Sequence, residues 1–349
     1  MDKTSALARR AVEYGNLVEK YTVVVLADKG GEMILSDKVK IYGVAGGNKF
    51  IKLLNLWRQA KILLKNEAYD IITVQDQYYL ALIGLCLAKK FKVGLEIQVH
   101  GFEKYNDLRK LIAKYVLPRA NAVRCVSRRL KRQLINEFGI KEEKITVVPI
   151  HSELRITNYE LRIKRDKEKF IFLAVGRLVP VKNISLQIEA MTEVVKKYPD
   201  AELWIIGDGP ESNNLKFKIK NLKLDDNVKL FGRKSREELE TIYSEADIFM
   251  LSSDSEGWGM AVIEAASFGL PIIMTDVGCA GEVIKNGESG LLIPIGDKRK
   301  LVEAMLKIIE DENLRKKLGA NAKLAVSRLP SKERTLELYK KSWEIAVAN

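Results

Sequence analysis

Stretches that favour β-strands alternate with stretches that favour helices along most of this 349-residue chain. Residues 21–26 carry the β-branched run of a buried strand, whereas residues 50–66 repeat apolar side chains at helical spacing. Parallel strands need long crossover connections, which helices supply, so the alternation predicts α/β domains with parallel sheets between layers of helices. The other predicted strands cover residues 39–44, 70–74, 93–99, 122–126, 145–148, 170–175, 202–206, 228–231, 248–251, 271–275 and 290–293.

The alternation is interrupted once, because the chain between His151 and Lys169 is polar and highly charged. Such a stretch between two series of strands and helices is typical of a domain boundary, and the length of the chain suits two domains. We therefore expect one doubly wound domain over residues 1–160 and a second over residues 161–330. Pro330 breaks the last helical stretch, which leaves a terminal helix within residues 331–349.

Positive charge is concentrated in the first part of the chain. Residues 1–150 contain 27 Lys and Arg against 15 Asp and Glu, whereas residues 151–349 contain 32 against 31. The densest run, over residues 109–132, would attract a polyanion such as nucleic acid or an anionic membrane surface, but a solvated basic helix face is the simpler explanation of any one such run. The longest apolar run, at residues 78–88, is too short to span a bilayer. Three scattered cysteines favour buried thiols in a reducing cytoplasm, and two histidines exclude a histidine-rich metal cage.

Two strands of the second domain end in loops that combine glycine with charge. Gly176 follows the first of these strands, and Arg177 and Lys182 place two cations after the same strand end. Ligands of doubly wound domains bind beyond the carboxyl ends of the strands, so the pair suits a diphosphate, although a loop with two surface charges is the simpler explanation. Gly207 and Asp208 follow the next strand, where the glycine permits either close backbone approach or a plain turn.

The strongest pattern follows the strand at residues 248–251. A glycine-rich motif there precedes a helix that contains a second acidic residue: Glu256, Gly257, Trp258, Gly259, Met260 and, in the helix, Glu264. A glycine-rich start leaves the first N–H groups of a helix free to hold a phosphate. A carboxylate accepts two hydroxyl hydrogen bonds at once, which suits the vicinal diol of a ribose or a hexose. Stabilisation of the helix dipole would explain Glu264 alone, but it would not explain the Glu-Gly-Trp-Gly motif.

At these residues the sequence resembles the family 4 glycosyltransferases of the GT-B fold. The hallmark of that family is a pair of glutamates separated by seven residues, here Glu256 and Glu264. The match is dense over about residues 165–300 and looser before them. The other matching motifs are Gly176-Arg177-Leu178 with Lys182-Asn183, Gly207-Asp208-Gly209-Pro210, Gly269-Leu270-Pro271-Ile272-Ile273, Asp276-Val277-Gly278 with Glu282-Val283, and Asn286-Gly287 with Gly290-Leu291.

The resemblance implies transfer of a sugar from a nucleoside diphosphate sugar, with retention at the anomeric carbon and without a metal or other cofactor. It assigns neutralisation of the departing diphosphate to Arg177 and Lys182. It assigns ribose binding to Glu264 and contact with the donor sugar to Glu256. His100, at the end of a strand, matches a histidine that the family often places near the reacting centre. The remaining donor-site residues that it implies are Gly176, Gly207, Asp208, Gly257, Trp258, Gly259 and Met260.

In the fold that the resemblance implies, two Rossmann-like domains face each other across a cleft. Residues 1–160 form the acceptor side, residues 161–330 bind the donor, and the helix within residues 331–349 crosses back to the first domain. The start of the chain departs from the family pattern, because a helical stretch precedes the first strand, at residues 21–26. The missing strand is central in a doubly wound domain, so its absence would leave a gap in the sheet. We therefore expect either a start upstream of Met1 or an impaired enzyme.

The principal hypothesis is a cytoplasmic glycosyltransferase that acts on a glycan or lipid-linked acceptor, placed peripherally at an anionic membrane face. The alternative is a GT-B protein that binds nucleotide sugar, or partners another transferase, without catalysing transfer. A nucleic-acid partner is not expected, because no stacking-aromatic motif accompanies the charge. An epimerase of the same fold fits the paired glutamates poorly.

Overall fold

The computed structural model of the chain describes residues 5–102, 107–152 and 169–349. The predicted alternation is present, with helices connecting successive parallel strands. The predicted domain boundary at residue 160 lies outside the described residues and stays a prediction. We call residues 5–152 the N-terminal part and residues 169–327 the C-terminal part.

The described N-terminal part contains seven strands in two separate sheets. One sheet has the order β1-β3-β2 and the other the order β4-β5-β6-β7. All pairs are parallel except β2 with β3. The sequence did not predict β2, because only Met33 of its side chains is buried and it lacks the apolar run of a core strand. The strands are β1 (Tyr21–Leu26), β2 (Gly31–Ile34), β3 (Val39–Val44), β4 (Ile71–Val74), β5 (Gly94–Val99), β6 (Ala122–Cys125) and β7 (Ile145–Val147).

Strands β1 and β4 share no ladder within the described residues. A hydrogen bond of 2.7 Å between Thr22 Oγ1 and the Tyr69 hydroxyl instead links the start of β1 to the segment before β4. The break lies where a central strand belongs in a doubly wound sheet. The backbone groups along one edge of β1 are therefore not paired with those along one edge of β4. This is the gap in the sheet that we expected from the sequence.

Five helices accompany these strands. Asn48 and Ser127 cap two of them by accepting hydrogen bonds from the N–H groups of Ile51 and Leu130, at 2.9 and 3.2 Å. Cys125 is buried as predicted, whereas Cys86 is exposed, because its side chain lies on the outer side of its helix. The helices are α1 (Ala6–Gly15), α2 (Lys49–Asn66), α3 (Tyr79–Phe91), α4 (Asp107–Val116) and α5 (Arg128–Phe138).

The described C-terminal part contains one continuous parallel sheet of six strands, in the order β10-β9-β8-β11-β12-β13. Its inner strands carry continuous apolar runs because helices cover both faces of the sheet. The strands are β8 (Ile171–Val175), β9 (Glu202–Ile206), β10 (Val228–Gly232), β11 (Ile248–Leu251), β12 (Ile272–Thr275) and β13 (Leu291–Ile293). The helices are α6 (Ile184–Lys197), α7 (Ser212–Asn221), α8 (Arg236–Glu245), α9 (Met260–Ser267), α10 (Lys298–Glu310) and α11 (Glu312–Ser327).

The order of the strands reverses direction around β8. From β8 the chain continues to β9 on one side, and it later returns to place β11 on the other side. In open parallel sheets the loops at such a switch point diverge and leave a crevice beyond the carboxyl ends of the strands. The fold therefore places the loops after β8 and β11 at the position where a ligand is expected.

The last helix, α12 (Lys332–Ala348), packs against strands β4 to β7 of the N-terminal part, as the sequence predicts. Trp343 Nε1 donates a hydrogen bond of 3.2 Å to Glu96 on β5. Glu96 also pairs with Arg124 on β6 at 3.2 Å, with both side chains almost completely buried. The Arg124 guanidinium lies 3.5 Å from the centre of the Tyr339 ring. A buried charge needs each of its partners, so this network fixes the position of α12 on the sheet.

Candidate active site

Lys182 and Glu256, predicted from separate motifs, meet at the switch point between β8 and β11. Lys182 Nζ lies 2.5 Å from Glu256 Oε1, and the Ser253 hydroxyl donates a hydrogen bond of 2.7 Å to the same oxygen. The Glu256 side chain is only 11% exposed and that of Lys182 22%, so solvent screens this pair weakly. A cation and an oriented carboxylate therefore stand at the mouth of the crevice.

Hydrogen bonds between the two loops hold this pair in place. The Asp254 N–H donates to the Val181 carbonyl at 2.8 Å, and Asn183 Nδ2 donates to Asp254 Oδ1 at 3.2 Å. Ser252 Oγ donates to the carbonyl of Asn183 at 2.8 Å. The sequence did not single out Ser252, Ser253 or Asp254, although all three lie in the segment that leads into the Glu-Gly-Trp-Gly motif.

The loops after β8 and β9 approach each other closely through glycine. Gly207 has φ +137°, and a Cβ atom there would overlap the Gly176 carbonyl oxygen. The Gly176 N–H donates to the Ile206 carbonyl at 3.0 Å, which continues the ladder of the sheet into the loops. Arg177 is exposed beside this contact. Gly207 is thus needed for the backbone to pass, whatever ligand the loops bind, whereas a Cβ atom at Gly176 would meet only Lys182 Cε, at 3.8 Å.

Asp208 uses its carboxylate within its own turn. Asp208 Oδ1 accepts hydrogen bonds from the Gly209 N–H at 2.7 Å and the Ser212 hydroxyl at 2.8 Å. Both hydrogen bonds lower the pKa of the Asp208 carboxyl, and the bond from Ser212 has the larger effect. The structure accounts for Asp208 as a residue that shapes the start of α7, and its predicted contact with the donor stays a prediction.

Helix α9 starts at the mouth of the crevice without a side-chain cap, because its N-cap residue is Gly259 at φ +93°. The first N–H groups of such a helix are available to an anionic ligand. The Trp258 side chain is only 2% exposed and packs in the hydrophobic core. Any contact between Trp258 and a ligand must therefore come from its backbone. Met260 begins the helix and is half-buried.

Glu264 lies in the second turn of α9 and is held by Tyr243 of α8. The Tyr243 hydroxyl donates a hydrogen bond of 3.0 Å to Glu264 Oε2. Tyr243 is fully buried and stacks on Phe268, with ring centres 5.3 Å apart. Burial raises the pKa of Glu264, and the hydrogen bond from Tyr243 opposes that rise. One carboxylate oxygen is thereby fixed while the group stays half-buried at the site. No local sequence pattern singles out Tyr243, because it lies 21 residues from Glu264 along the chain.

His100 at the end of β5 lies against the Glu256 loop from across the cleft. A Cβ atom at Gly257 would overlap the His100 carbonyl oxygen, so the two backbones are in direct contact. Gln77 Nε2 donates to the Gly101 carbonyl at 2.8 Å and supports the His100 side of this contact. The His100 side chain reaches solvent at one side. Desolvation by the surrounding protein lowers its pKa from 6.5, and the positive charges of Arg124 and Arg10 lower it further. A neutral imidazole at pH 7 can accept or relay a proton.

A second contact across the cleft joins α5 to the loop after β12. Arg129 forms an ion pair with Asp276 and donates to the Ala280 carbonyl at 3.1 Å. Glu282 Oε2 accepts a hydrogen bond of 2.8 Å from the Arg128 N–H at the start of α5. The resemblance pointed to Asp276 and Glu282 without assigning them a role. The sequence carried no signal for Arg129 beyond its place in a basic run.

The parts of the chain that the structure describes contain no cluster of three or more His, Cys, Asp or Glu side chains arranged to hold a metal ion. None of the helices found in those same parts is both long enough and apolar enough to cross a bilayer.

Comparison with known proteins gives two family matches that together span most of the chain. A family model described as "Glycosyl transferases group 1" matches residues 157–325. A second, described as "Glycosyltransferase Family 4", matches residues 8–150. The first match contains the predicted donor-site residues of the C-terminal part, and the second contains His100.

Two curated relatives match along most of their length. The UDP-Gal:alpha-D-GlcNAc-diphosphoundecaprenol alpha-1,3-galactosyltransferase of Escherichia coli is 30% identical over 276 residues, which are 72% of this chain and 69% of the relative. An uncharacterized glycosyltransferase of Methanocaldococcus jannaschii is 28% identical over 278 residues, which are 78% of this chain and 74% of the relative.

The fold also matches solved structures. Sucrose-phosphate synthase from Thermosynechococcus elongatus superposes with a TM-score of 0.82 at 19% identity, covering 97% of this chain and 93% of that protein. The predicted α/β architecture, GT-B with two Rossmann-like domains, is thereby confirmed.

Proposed function

Since this chain belongs to the group 1 glycosyltransferases and is thus an enzyme of the hexosyltransferase type, we propose that it takes its sugar from a nucleoside diphosphate donor and retains the anomeric configuration. The observation that carries the proposal is the Lys182–Glu256 pair at the switch point between β8 and β11. This arrangement combines a cation, an oriented carboxylate and an uncapped helix start, which together suit a diphosphate joined to a sugar.

In this proposal the donor diphosphate lies between the loop after β8 and the start of α9. Arg177, Lys182 and the N–H groups around Gly259 and Met260 stabilise the negative charge that develops on the leaving diphosphate. Fixed protein charge and the helix dipole then supply the positive potential, so the proposed reaction uses no metal or other cofactor. Gly176, Gly207, Asp208, Gly257 and Trp258 shape the backbone around the donor.

The two glutamates have different tasks in the proposed reaction. Glu264 binds the ribose hydroxyls through the carboxylate that Tyr243 holds in place. Glu256 contacts the donor sugar, and its bonds to Lys182 and Ser253 set its orientation. The bond from the anomeric carbon to the diphosphate breaks, and the acceptor oxygen forms its bond to that carbon on the same face. A phosphate oxygen of the leaving group takes the proton of the acceptor hydroxyl. His100 faces the reacting centre from the N-terminal part.

We propose that the acceptor is a glycan or a lipid-linked molecule and that it binds to the N-terminal part. The enzyme would then act in the cytoplasm, peripherally at the membrane. The support is the acceptor in the name of the Escherichia coli relative, a diphosphoundecaprenol-linked sugar, together with the excess of positive charge in residues 1–150. An anionic membrane face suits that charge, and no nucleic-acid partner is proposed.

A second candidate function is binding of nucleotide sugar without transfer, alone or as the partner of another transferase. The break between β1 and β4 favours it, because the acceptor side then lacks a continuous sheet. The intact constellation of Lys182, Glu256 and Glu264 favours catalysis.

A thermal-shift screen against UDP, GDP and ADP and their sugar conjugates tests the donor site, with release of nucleotide from the matching conjugate as the assay of catalysis. A ligand at 100 times its dissociation constant adds about 2.7 kcal/mol of stability. We expect one nucleotide series to stabilise the protein and Glu264→Gln to abolish the shift. Glu303→Gln, at an exposed glutamate of α10, is the matched control. A shift without nucleotide release, with acceptor present, would favour the second candidate, and no shift with any nucleotide would contradict both.

A further inference from the structure

Gln187 on α6 is a buried amide on an otherwise apolar side of its helix. Its side chain is fully buried, and Ile184, Met191 and Val194, at helical spacing from it, belong to the apolar core of the C-terminal part. Gln187 Nε2 donates a hydrogen bond of 2.8 Å to Ser252 Oγ, whereas Gln187 Oε1 has no hydrogen-bond partner among the described residues. An unpaired buried oxygen is less favourable than an apolar side chain of similar size, so packing alone does not explain this glutamine.

The partner of this amide, Ser252, connects the end of β11 to the loop after β8. Ser252 is buried, and its Oγ donates to the Asn183 carbonyl at 2.8 Å and to the Lys182 carbonyl at 3.1 Å. A hydroxyl has one proton to donate and accepts through its lone pairs. Because the Gln187 amide donates to the oxygen, the hydroxyl proton is left for the two carbonyls. Gln187 therefore orients the hydroxyl that holds the backbone at Lys182 and Asn183.

The backbone that Ser252 holds has a conformation that needs support. Asn183 has φ +45°, in the left-handed region that residues other than glycine seldom adopt. It follows the single helical turn Pro180–Lys182 and begins α6 without a side-chain cap. The same turn carries the Lys182 side chain, whose Nζ lies 2.5 Å from Glu256 Oε1. A shift of this backbone would therefore move the Lys182 ammonium group within the candidate site.

Attachment of α6 to the sheet is the simpler explanation of the bond between Gln187 and Ser252. The helix has other means of attachment, because it packs against α10 and completely buries several apolar side chains, namely Ile188, Ala190, Met191 and Val194. Burial of these side chains stabilises the packed helix without any contribution from an amide. The bond to Ser252 is thus explained better by the loop that it holds than by the helix from which it comes.

We propose that Gln187 is a positioning residue for sugar transfer, which acts through Ser252 on Lys182. The inference rests on the proposed function, in which Lys182 neutralises the departing diphosphate. The effect of Gln187 belongs to the step in which negative charge develops, because a cation stabilises that charge only from a fixed position. Binding of the donor depends less on it, since Glu264 and the start of α9 also hold the nucleotide in the proposed complex.

Substitution by methionine removes the amide at nearly the same volume and tests the proposal. We expect Gln187→Met to lower kcat for nucleotide release from the matching donor about tenfold, because displacement by about 1 Å at a reacting centre slows a reaction by up to about 10²-fold. The KM for the donor should change by less than about twofold. The midpoint of thermal unfolding should stay the same or rise, because the unpaired buried oxygen is removed. Ser252→Ala should lower kcat by a similar factor.

A double-mutant cycle with Lys182→Met tests the route of the effect. If Gln187 acts through Lys182, adding Gln187→Met to Lys182→Met should lower kcat by less than a further factor of about two. Thr192→Val is the matched control, because it removes a hydrogen bond of 2.7 Å to the Glu189 carbonyl within the same helix. It should leave kcat unchanged.

Three results would overturn the proposal: an unchanged kcat in Gln187→Met, an equal loss in Thr192→Val, or a full tenfold further loss in the Lys182→Met background. A normal kcat in Lys182→Met itself would contradict the proposed task of that lysine, and this inference with it. A normal kcat in Gln187→Met beside a large loss in Lys182→Met would contradict the inference alone, so the two failures are separate results.

Discussion

The C-terminal part has one continuous sheet of six strands, whereas the N-terminal part divides its strands between two sheets. The C-terminal strands next to the candidate site, β8 and β11, are almost wholly buried, whereas β1 at the break in the N-terminal part is half-buried along most of its length. The predicted donor residues lie on loops anchored by the continuous sheet. This difference indicates that the precise geometry is concentrated in the C-terminal part, while the N-terminal part depends more on contacts outside its sheets.

The two parts also differ in what holds them. In both parts apolar side chains pack the strands against their helices. In the N-terminal part the buried network of Glu96, Arg124, Tyr339 and Trp343 attaches α12 across strands β4 to β7. Substitutions at four residues test this difference between the two parts.

The largest effect is expected for the buried network of the N-terminal part. Arg124→Met leaves the Glu96 carboxylate buried without its cation, which should lower the free energy of unfolding by about 3–5 kcal/mol. Urea unfolding followed by tryptophan fluorescence measures this. Adding Glu96→Gln removes the isolated charge but keeps an acceptor for Trp343, so the double variant should recover much of the loss. Equal destabilisation of the single and double variants would show that the charge pair is not what holds α12.

The second largest effect is expected at the switch point of the C-terminal part. Lys182→Met removes the cation beside the leaving diphosphate and should lower kcat/KM for donor turnover by about 10²–10³-fold. Lys216→Met, on α7, serves as the control and should have almost no effect. Loss of only a few-fold activity for Lys182→Met would mean that this lysine merely orients Glu256.

A substitution at Gly257 tests the contact between the two parts. Gly257→Ala introduces a methyl group that overlaps the His100 carbonyl, so it should push the cleft apart and slow sugar transfer about tenfold or more. Nucleotide binding to the C-terminal part should change little. Gly47→Ala is the matched control, because nothing lies within 4 Å of the added atom. Normal transfer by Gly257→Ala would contradict the closed contact as the reacting arrangement.

The smallest effect concerns the Glu264 carboxylate, which we propose binds the ribose. Tyr243→Phe removes one hydrogen bond to Glu264, which should weaken nucleotide binding by about 0.5–1.5 kcal/mol. Burial already raises the pKa of Glu264 and the Tyr243 bond opposes this, so the variant should raise it further. Because the ionised carboxylate is the form proposed to bind the diol, nucleotide affinity should begin to fall at a higher pH as the solution is acidified. Titration calorimetry across acidic pH measures both effects.

Tyr198→Phe removes a comparable bond of 3.3 Å to Glu310 at the surface and is the matched control for Tyr243→Phe. It should leave both nucleotide affinity and its pH dependence unchanged. An unaltered pH profile in Tyr243→Phe would contradict the positioning role of Tyr243.

The sequence predicted the strands and loops of the C-terminal part better than those of the N-terminal part, for physical reasons. Buried parallel strands carry continuous apolar runs, and glycines with charge mark the loops after them, so β8, β11, Lys182 and Glu256 were all visible. Residues that act through tertiary contacts left no local pattern. Tyr243 reaches Glu264 from another helix, and Arg129 reaches Asp276 from the other side of the cleft. The exposed strand β2 likewise lacks the apolar run by which strands are recognised.

The central claim is that the donor binds at the crevice between β8 and β11, and hydrogen exchange with mass spectrometry tests it most directly. With the stabilising nucleotide bound, amides of residues 176–183 and 252–264 should exchange more slowly, because ligand contacts suppress local opening there. Residues 21–44 of the N-terminal part should exchange as before. Protection confined to the N-terminal part, with none in the loops after β8 and β11, would contradict the account.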